Sequence, residues 1–177
     1  LGFVVEAAPA EVAFAYAREE LSAPGPVART HRDFPFGQYS DDTQLARALL
    51  LGVRDAGRWE PPAFAARVAE LFASGRAIGA GPGSRGAAER LRAGVSWKHA
   101  GAPAPYAGNG GAMRVAPLGV LLAHDLSLLV EAAGAECRVT HGDPRCAGGA
   151  VAIAGAAALA GRPGTLNRVA RSGAHAS

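Results

Sequence analysis

The chain has 177 residues, 49% of them hydrophobic and only 6% aromatic, with 18 Lys and Arg against 15 Asp and Glu for a formal net charge of +3. That length suits one compact domain with its own core and leaves little room for two. The arginines are dispersed, as at Arg47, Arg54 and Arg67, and the densest group, Arg85, Arg90 and Arg92, has Glu89 in its middle. A solvated helix face explains such a pattern better than a phosphate-tracking groove, so nucleic acid is not an expected partner. Alanine and glycine carry much of the apolar content, and Val, Ile and Thr are scattered singly rather than in alternating runs. The expected class is therefore all-α, a single helical bundle domain over residues 1–177.

Cys137 and Cys146 flank His141. Three ligands fall short of the four of a structural zinc site, so free thiols in a reducing cytoplasm are expected. No charged leader precedes an apolar run, and no apolar stretch reaches ~20 residues. Neither secretion nor a membrane segment is expected, and the expected location is cytoplasmic.

In chain order, Pro9–Leu21 reads as a helix with Val12, Ala13, Tyr16 and Ala17 on one face, followed by a Pro- and Gly-rich connector. The strongest helix begins at Asp41 or Asp42 and runs to Ala56, with Leu45, Leu49 and Val53 stacked four apart. Pro61 and Pro62 start the next, with Phe64, Val68, Leu71 and Phe72 as its stripe. A glycine-rich stretch leads to a short helix, Arg85–Arg92, capped by Ser84, and a loop from Gly94 to Gly111 follows. Helices are then expected over Ala112–Ala123, Ser127–Val139 and Pro144–Ala160, the last capped by Asp143. The expected core is Leu45, Leu49, Val53, Phe64, Val68, Leu118, Leu122 and Val130.

Four segments carry side chains or backbone suited to chemistry. Ser40-Asp41-Asp42-Thr43 lines up oxygen ligands of the kind Mg²⁺ or Mn²⁺ prefers, although Asp41-x-x-Gln44 is equally a capping box. Arg76 to Gly83, with Gly79, Gly81 and Gly83, could wrap a diphosphate through backbone amides, and without Lys it is no P-loop. Gly108-Asn109-Gly110-Gly111-Ala112-Met113-Arg114 is a glycine-flanked turn entering a helix, with Met113 suited to the core and Arg114 to an ion pair. Thr140-His141-Gly142-Asp143-Pro144 joins two helices, where a His is more often a surface residue or a backbone hydrogen-bonder than a ligand group.

Taken in this order, the segments resemble the ADP-ribosylglycohydrolase family, which includes enzymes that remove ADP-ribose from arginine or serine. Leu1–Glu6 is similar to the tail of the family's first motif, a Gly-Asp-Ala-x-Gly turn followed by a glutamate. Ser40–Thr43 is similar to its first aspartate motif, GNGGAMRVAP from Gly108 to Pro117 to its most specific string, and THGDP to its histidine loop. The resemblance implies a bundle of the ADP-ribosylglycohydrolase type. It implies a divalent cation, Mg²⁺ or Mn²⁺, on Ser40, Asp41 and Asp42, with Glu6 as a ligand or base. It also implies ribose and diphosphate contacts from Asn109, Gly110, Gly111 and His141, beside Gly108 and the Gly79–Gly83 loop.

The activity implied is metal-dependent hydrolysis of the bond between ADP-ribose and a modified side chain or small acceptor, the partner being ADP-ribose or an ADP-ribosylated protein. The family's second aspartate motif, similar to Gly-Asp-x-Asp-Thr, has no counterpart: no Asp or Glu follows Asp143. The Gly-Asp-Ala ahead of Leu1 is absent too, so the chain reads as truncated at both ends. It is either a fragment of a hydrolase or a relative that binds ADP-ribose or a nucleotide without cleaving it. A purely structural relative, with acids as caps and glycines as turns, is the third reading.

Overall fold

Proline and aspartate set most of the helix starts. The fold is a computed structural model that describes residues 10–19 and 39–161. They belong to two units that divide after Ser40. In the first unit, α1 is Ala10–Glu19, with Glu11 in its first turn and Arg18 in its last, the order a helix dipole favours.

The second unit holds α2 (Asp41–Ala56), α3 (Pro61–Ala73), α4 (Pro82–Arg92), α5 (Trp97–Ala100), α6 (Ala116–Leu121), α7 (Leu126–Arg138) and α8 (Pro144–Ala160). There is no strand among the described residues, only an isolated bridge between Ala102 and His141. The all-α expectation holds. Helix α8 lies along α7 and α6, and α2 lies along α3; α2 also touches α6, and α3 touches α7, which joins the groups around one core.

The core is built where the apolar spacing asked for it. Leu45, Leu49, Phe64, Val68 and Leu118 are fully buried, while Val53 and Leu122 are half-buried against them. Val130 is the exception: it is 53% exposed, and its neighbour Leu129 turns inward instead. The inward face of α7 runs Leu129, Ala132, Ala133, Glu136 and Cys137. Leu128, Leu129 and Val130 are apolar in succession, so periodicity alone did not choose among them; the small alanines that admit α8 did.

Three element boundaries differ from the sequence expectation. Helix α4 starts at Pro82 with Gly81 as N-cap, and Ser84 is buried inside it rather than capping it. Proline's fixed φ suits a first turn, so Pro82 moves the start upstream. The stretch from Gly94 to Gly111 contains the single turn α5, where the Ser96 hydroxyl accepts from the Lys98 N–H. Helix α6 is shorter than Ala112–Ala123 because Pro117 has no N–H and its ring would clash with the carbonyl four residues back. The caps read from sequence at α8 hold: the Asp143 side chain accepts from Arg145 N at 2.9 Å.

Small residues set the helix spacing. A Cβ on Gly52 would lie 3.0 Å from Phe64 N, where α3 starts against α2. A Cβ on Gly119 would run into the Ala154 carbonyl and lie 2.7 Å from Ala157 Cβ on α8. Gly134, inside α7, has nothing within 4 Å of such a Cβ. Thermal or urea unfolding should therefore separate the two: Gly119→Ala is expected to cost about 1–3 kcal/mol as an overpacked contact against backbone. Gly134→Ala is expected to gain about 0.5–1 kcal/mol of helix propensity.

Candidate functional site

The site grows from a buried charge. Arg114 is the largest fully buried side chain, and its partner Glu136 on α7 is equally buried. Arg114 Nε donates to Glu136 Oε1 in an ion pair. Its Nη2 donates to Thr140 Oγ1 at 2.8 Å, and its guanidinium lies 5.2 Å from the Phe64 ring centroid. Burial pushes the Glu136 carboxyl above the usual carboxylate range, opposed by the charge and hydrogen bond of Arg114.

Thr140 passes this anchoring on to His141. The Thr140 Oγ1 lies 2.8 Å from His141 Nδ1. The backbone is pinned on the other side: Ala102 N donates to Thr140 O at 2.9 Å, Gly142 N to Ala102 O at 2.7 Å, and His141 N to Cys137 O at 2.8 Å. His141 is 4% exposed. Burial first, and the Arg114 charge second, push its imidazole down to about 4, so it is neutral at physiological pH.

Glycines from two separate segments close on that ring. A Cβ on Gly83 or on Gly108 would sit 2.9 Å from His141 Nε2, and one on Gly110 would sit 3.0 Å from both ring nitrogens. No larger residue fits at these positions without displacing the histidine. Gly111 makes the same kind of approach to Cys137, 2.6 Å from Sγ. Tyr106 completes the enclosure, its ring centroid 5.7 Å from that of His141. Its hydroxyl accepts from Gly83 N at 3.3 Å. The Tyr106 loop is tied to the start of α8, since Arg145 Nη2 donates to Pro105 O at 2.8 Å while also pairing with Asp143.

The acidic motif lies at one end of the same glycine-rich segment. Asp41 is buried and Asp42 half-buried in the first turn of α2. Asp41 N donates to Ile78 O at 2.8 Å. The Gln44 side chain reaches the glycine-rich segment: its amide donates to Arg76 O at 2.8 Å and accepts from Ile78 N at 2.9 Å. The α2 start thus holds the strand of backbone that leads through Gly79, in positive φ, and Gly81 to Gly83 beside His141. Those five residues span at most about 18 Å if fully extended.

Of the residues singled out in the sequence, Gly83, Gly108, Gly110 and His141 are brought together, with Gly111 one contact away through Cys137. Asn109 is exposed, and its carbonyl accepts from Met113 N. Glu6 lies outside the described residues, and Ser40 is the last residue of the first unit. Among the described residues, no three His, Cys, Asp or Glu side chains form a group that could hold a metal ion. Sequence reading missed Tyr106 and gave Thr140, named in the THGDP string, no role of its own: a tyrosine among Pro, Ala and Gly carries no periodic signal, and what Thr140 passes to its neighbour His141 comes from Arg114, distant in sequence. Cys137 is no nucleophile, since burial pushes its thiol up to about 12.

The neutral histidine makes stability depend on pH with a definite sign. Its folded pKa of about 4 lies below the ordinary 6.5, so the unfolded chain binds the extra proton between those values. The corresponding stability is complete above about pH 6.5 and is lost as pH falls towards 4, about 3 kcal/mol in all. Urea titrations from pH 7 to 4 should show His141→Gln with a shallower decline than the unmodified chain. Gly110→Ala should cost about 1–3 kcal/mol at constant pH, because the added methyl meets the enclosed ring. A midpoint shift indistinguishable from zero would mean the cradle is loose.

Two comparisons bear on what this arrangement is for. The chain is 34% identical over 122 residues to an uncharacterized protein of Archaeoglobus fulgidus, an alignment covering 69% of the chain and 39% of that relative. It thus spans well under half the length of the curated relative it matches. The family profile for ADP-ribosylglycohydrolase matches residues 1–176. Matched by that profile over residues 1–176, the chain belongs to the ADP-ribosylglycohydrolase family.

Proposed function

We propose that the chain forms the ADP-ribose-binding part of a metal-dependent hydrolase that cleaves the glycosidic bond between ADP-ribose and a modified side chain or small acceptor. The observation that carries this is the convergence of Gly83, Gly108 and Gly110 on a buried, neutral histidine. Backbone without side chains can approach the ribose and diphosphate oxygens closely, and its amides favour anions. Gly79, Gly81 and Gly83 would face the diphosphate, and Gly108, Asn109, Gly110 and Gly111 the ribose. His141 would reach the ligand on displacement of Tyr106, offering a hydrogen bond without a charge.

The motif Ser40-Asp41-Asp42 supplies oxygen donors only, the chemistry suited to Mg²⁺ or Mn²⁺. When bound there, the cation would supply Lewis-acid polarisation of sugar hydroxyls and water. The carboxylates of Asp41 and Asp42 would themselves favour the positive charge that develops at the anomeric carbon as the glycosidic bond breaks. Glu6 is the proposed proton acceptor for the attacking water.

A second reading is a relative that binds ADP-ribose without cleaving it. Its support is that, among the described residues, no three His, Cys, Asp or Glu side chains form a group that could hold a metal ion.

Calorimetry with ADP-ribose and Mn²⁺, paired with release assays on ADP-ribosylated arginine and serine peptides, separates these readings. Binding with release supports the hydrolase, binding alone the second reading, and no binding refutes both. Asp41→Asn and Asp42→Asn should each weaken Mn²⁺ binding tenfold or more, on the order of 1.4 kcal/mol. Each should cost about 1 kcal/mol or less of stability, because Asn remains a good residue at a helix start. An unchanged Mn²⁺ isotherm in both would leave the helix start as their whole role.

A further inference from the structure

The proposed function needs a hydrogen-bond donor on His141, and the buried polar chain behind the ring decides which nitrogen carries it. A guanidinium only donates, so Thr140 Oγ1 accepts from Arg114 Nη2 at 2.8 Å. The Thr140 hydroxyl has a single proton left to place, and the residue is fully buried. His141 Nδ1, 2.8 Å away, is the side-chain acceptor within its reach. A buried hydroxyl proton without an acceptor costs about 1–3 kcal/mol, which weighs against the tautomer protonated on Nδ1. We propose that Arg114 and Thr140 are positioning residues that hold His141 as the neutral imidazole with its proton on Nε2, aimed at the Gly83 and Gly108 backbone.

Nε2 is the ring atom that a Cβ on either glycine would touch, so it faces the loops assigned to ADP-ribose. Glu136 fixes the donor end of the chain by holding Arg114 from the other side. The remaining titratable neighbours fit this protonation. The Tyr106 ring lies tilted beside the imidazole, and the Cys137 thiol points at the His141 carbonyl oxygen, 3.7 Å away, rather than at a ring nitrogen. The consequence is a donor already oriented for a ribose hydroxyl or a phosphate oxygen, with no proton to relocate on binding.

The inference rests on the proposed function only for its consequence; the tautomer can be read without ligand. Long-range ¹H–¹⁵N correlation spectra of the full chain, labelled at histidine, distinguish the two nitrogens, and loss of one set in His141→Gln identifies the residue. The expected spectrum has a protonated Nε2 and an unprotonated, hydrogen-bonded Nδ1. Thr140→Val should shift His141 towards a mixture and weaken ADP-ribose binding about tenfold, while Thr140→Ser should restore both. A proton on Nδ1 in the unmodified chain overturns the assignment outright, whether or not the variants fold. An unchanged tautomer and affinity in Thr140→Val overturns the positioning role. Failure of the unmodified chain to bind ADP-ribose overturns the functional reading instead, and the spectrum still decides the tautomer.

Discussion

A guanidinium and a carboxylate, both withdrawn from water, lie between the turn ahead of α6 and the inner face of α7. Desolvating two charges costs several kcal/mol per ion, and their attraction recovers it only where geometry is good and other hydrogen bonds are met. Arg114 meets them only in part: Glu136, Thr140 and the face of Phe64 hold it, while its Nη1 and Glu136 Oε2 are buried without a hydrogen-bond partner. Such a pair contributes little net stability compared with apolar residues of the same volume, but removing one partner leaves the other buried and uncompensated. It connects α7, the 140–142 loop and the entrance to α6, and through Phe64 it reaches α3. The position of His141 follows from it.

Glycine does two jobs in this chain, and both rest on the space a missing Cβ leaves. At Gly52 and Gly119 it lets helices approach backbone to backbone, which a core with few large side chains requires to stay dense. At Gly101 a Cβ would collide with Arg138 O, so glycine there is what allows the neighbouring Ala102 to pair with the 140–142 loop. At Gly83, Gly108 and Gly110 the same property encloses a side chain. A ring held on several sides by backbone loses the freedom to reorient.

The Ser40–Thr43 motif shows why a short acidic string is ambiguous in isolation. A capping box and a cation site ask for nearly the same residues at a helix start, since both use oxygen atoms near free backbone amides. Gln44 reaches across to the backbone at Arg76 and Ile78, a contact 32 to 34 residues distant in sequence. That gives the Gln44 side chain a role of its own, the placement of the segment that runs to Gly83.

What the sequence determined by itself is what depends on neighbours along the chain. The all-α class, the extent of α2 and α8, the Asp143 cap and most of the core follow from apolar spacing, proline positions and short polar side chains at helix starts. The family was legible as well, because GNGGAMRVAP and THGDP are contiguous strings. Where several successive residues were equally apolar, as at Leu128, Leu129 and Val130, local pattern could not pick the inward one, and the packing of α8 against the alanines of α7 did. The pairing of Arg114 with Glu136, the place of Thr140 and Tyr106 around His141, and the convergence of glycines from two segments on one ring were decided only by the tertiary structure. Apart from Thr140 beside its neighbour His141, each is a contact between residues some 20 to 60 positions apart, and its energy comes from removing charges and rings from water together, which no local pattern along the chain encodes.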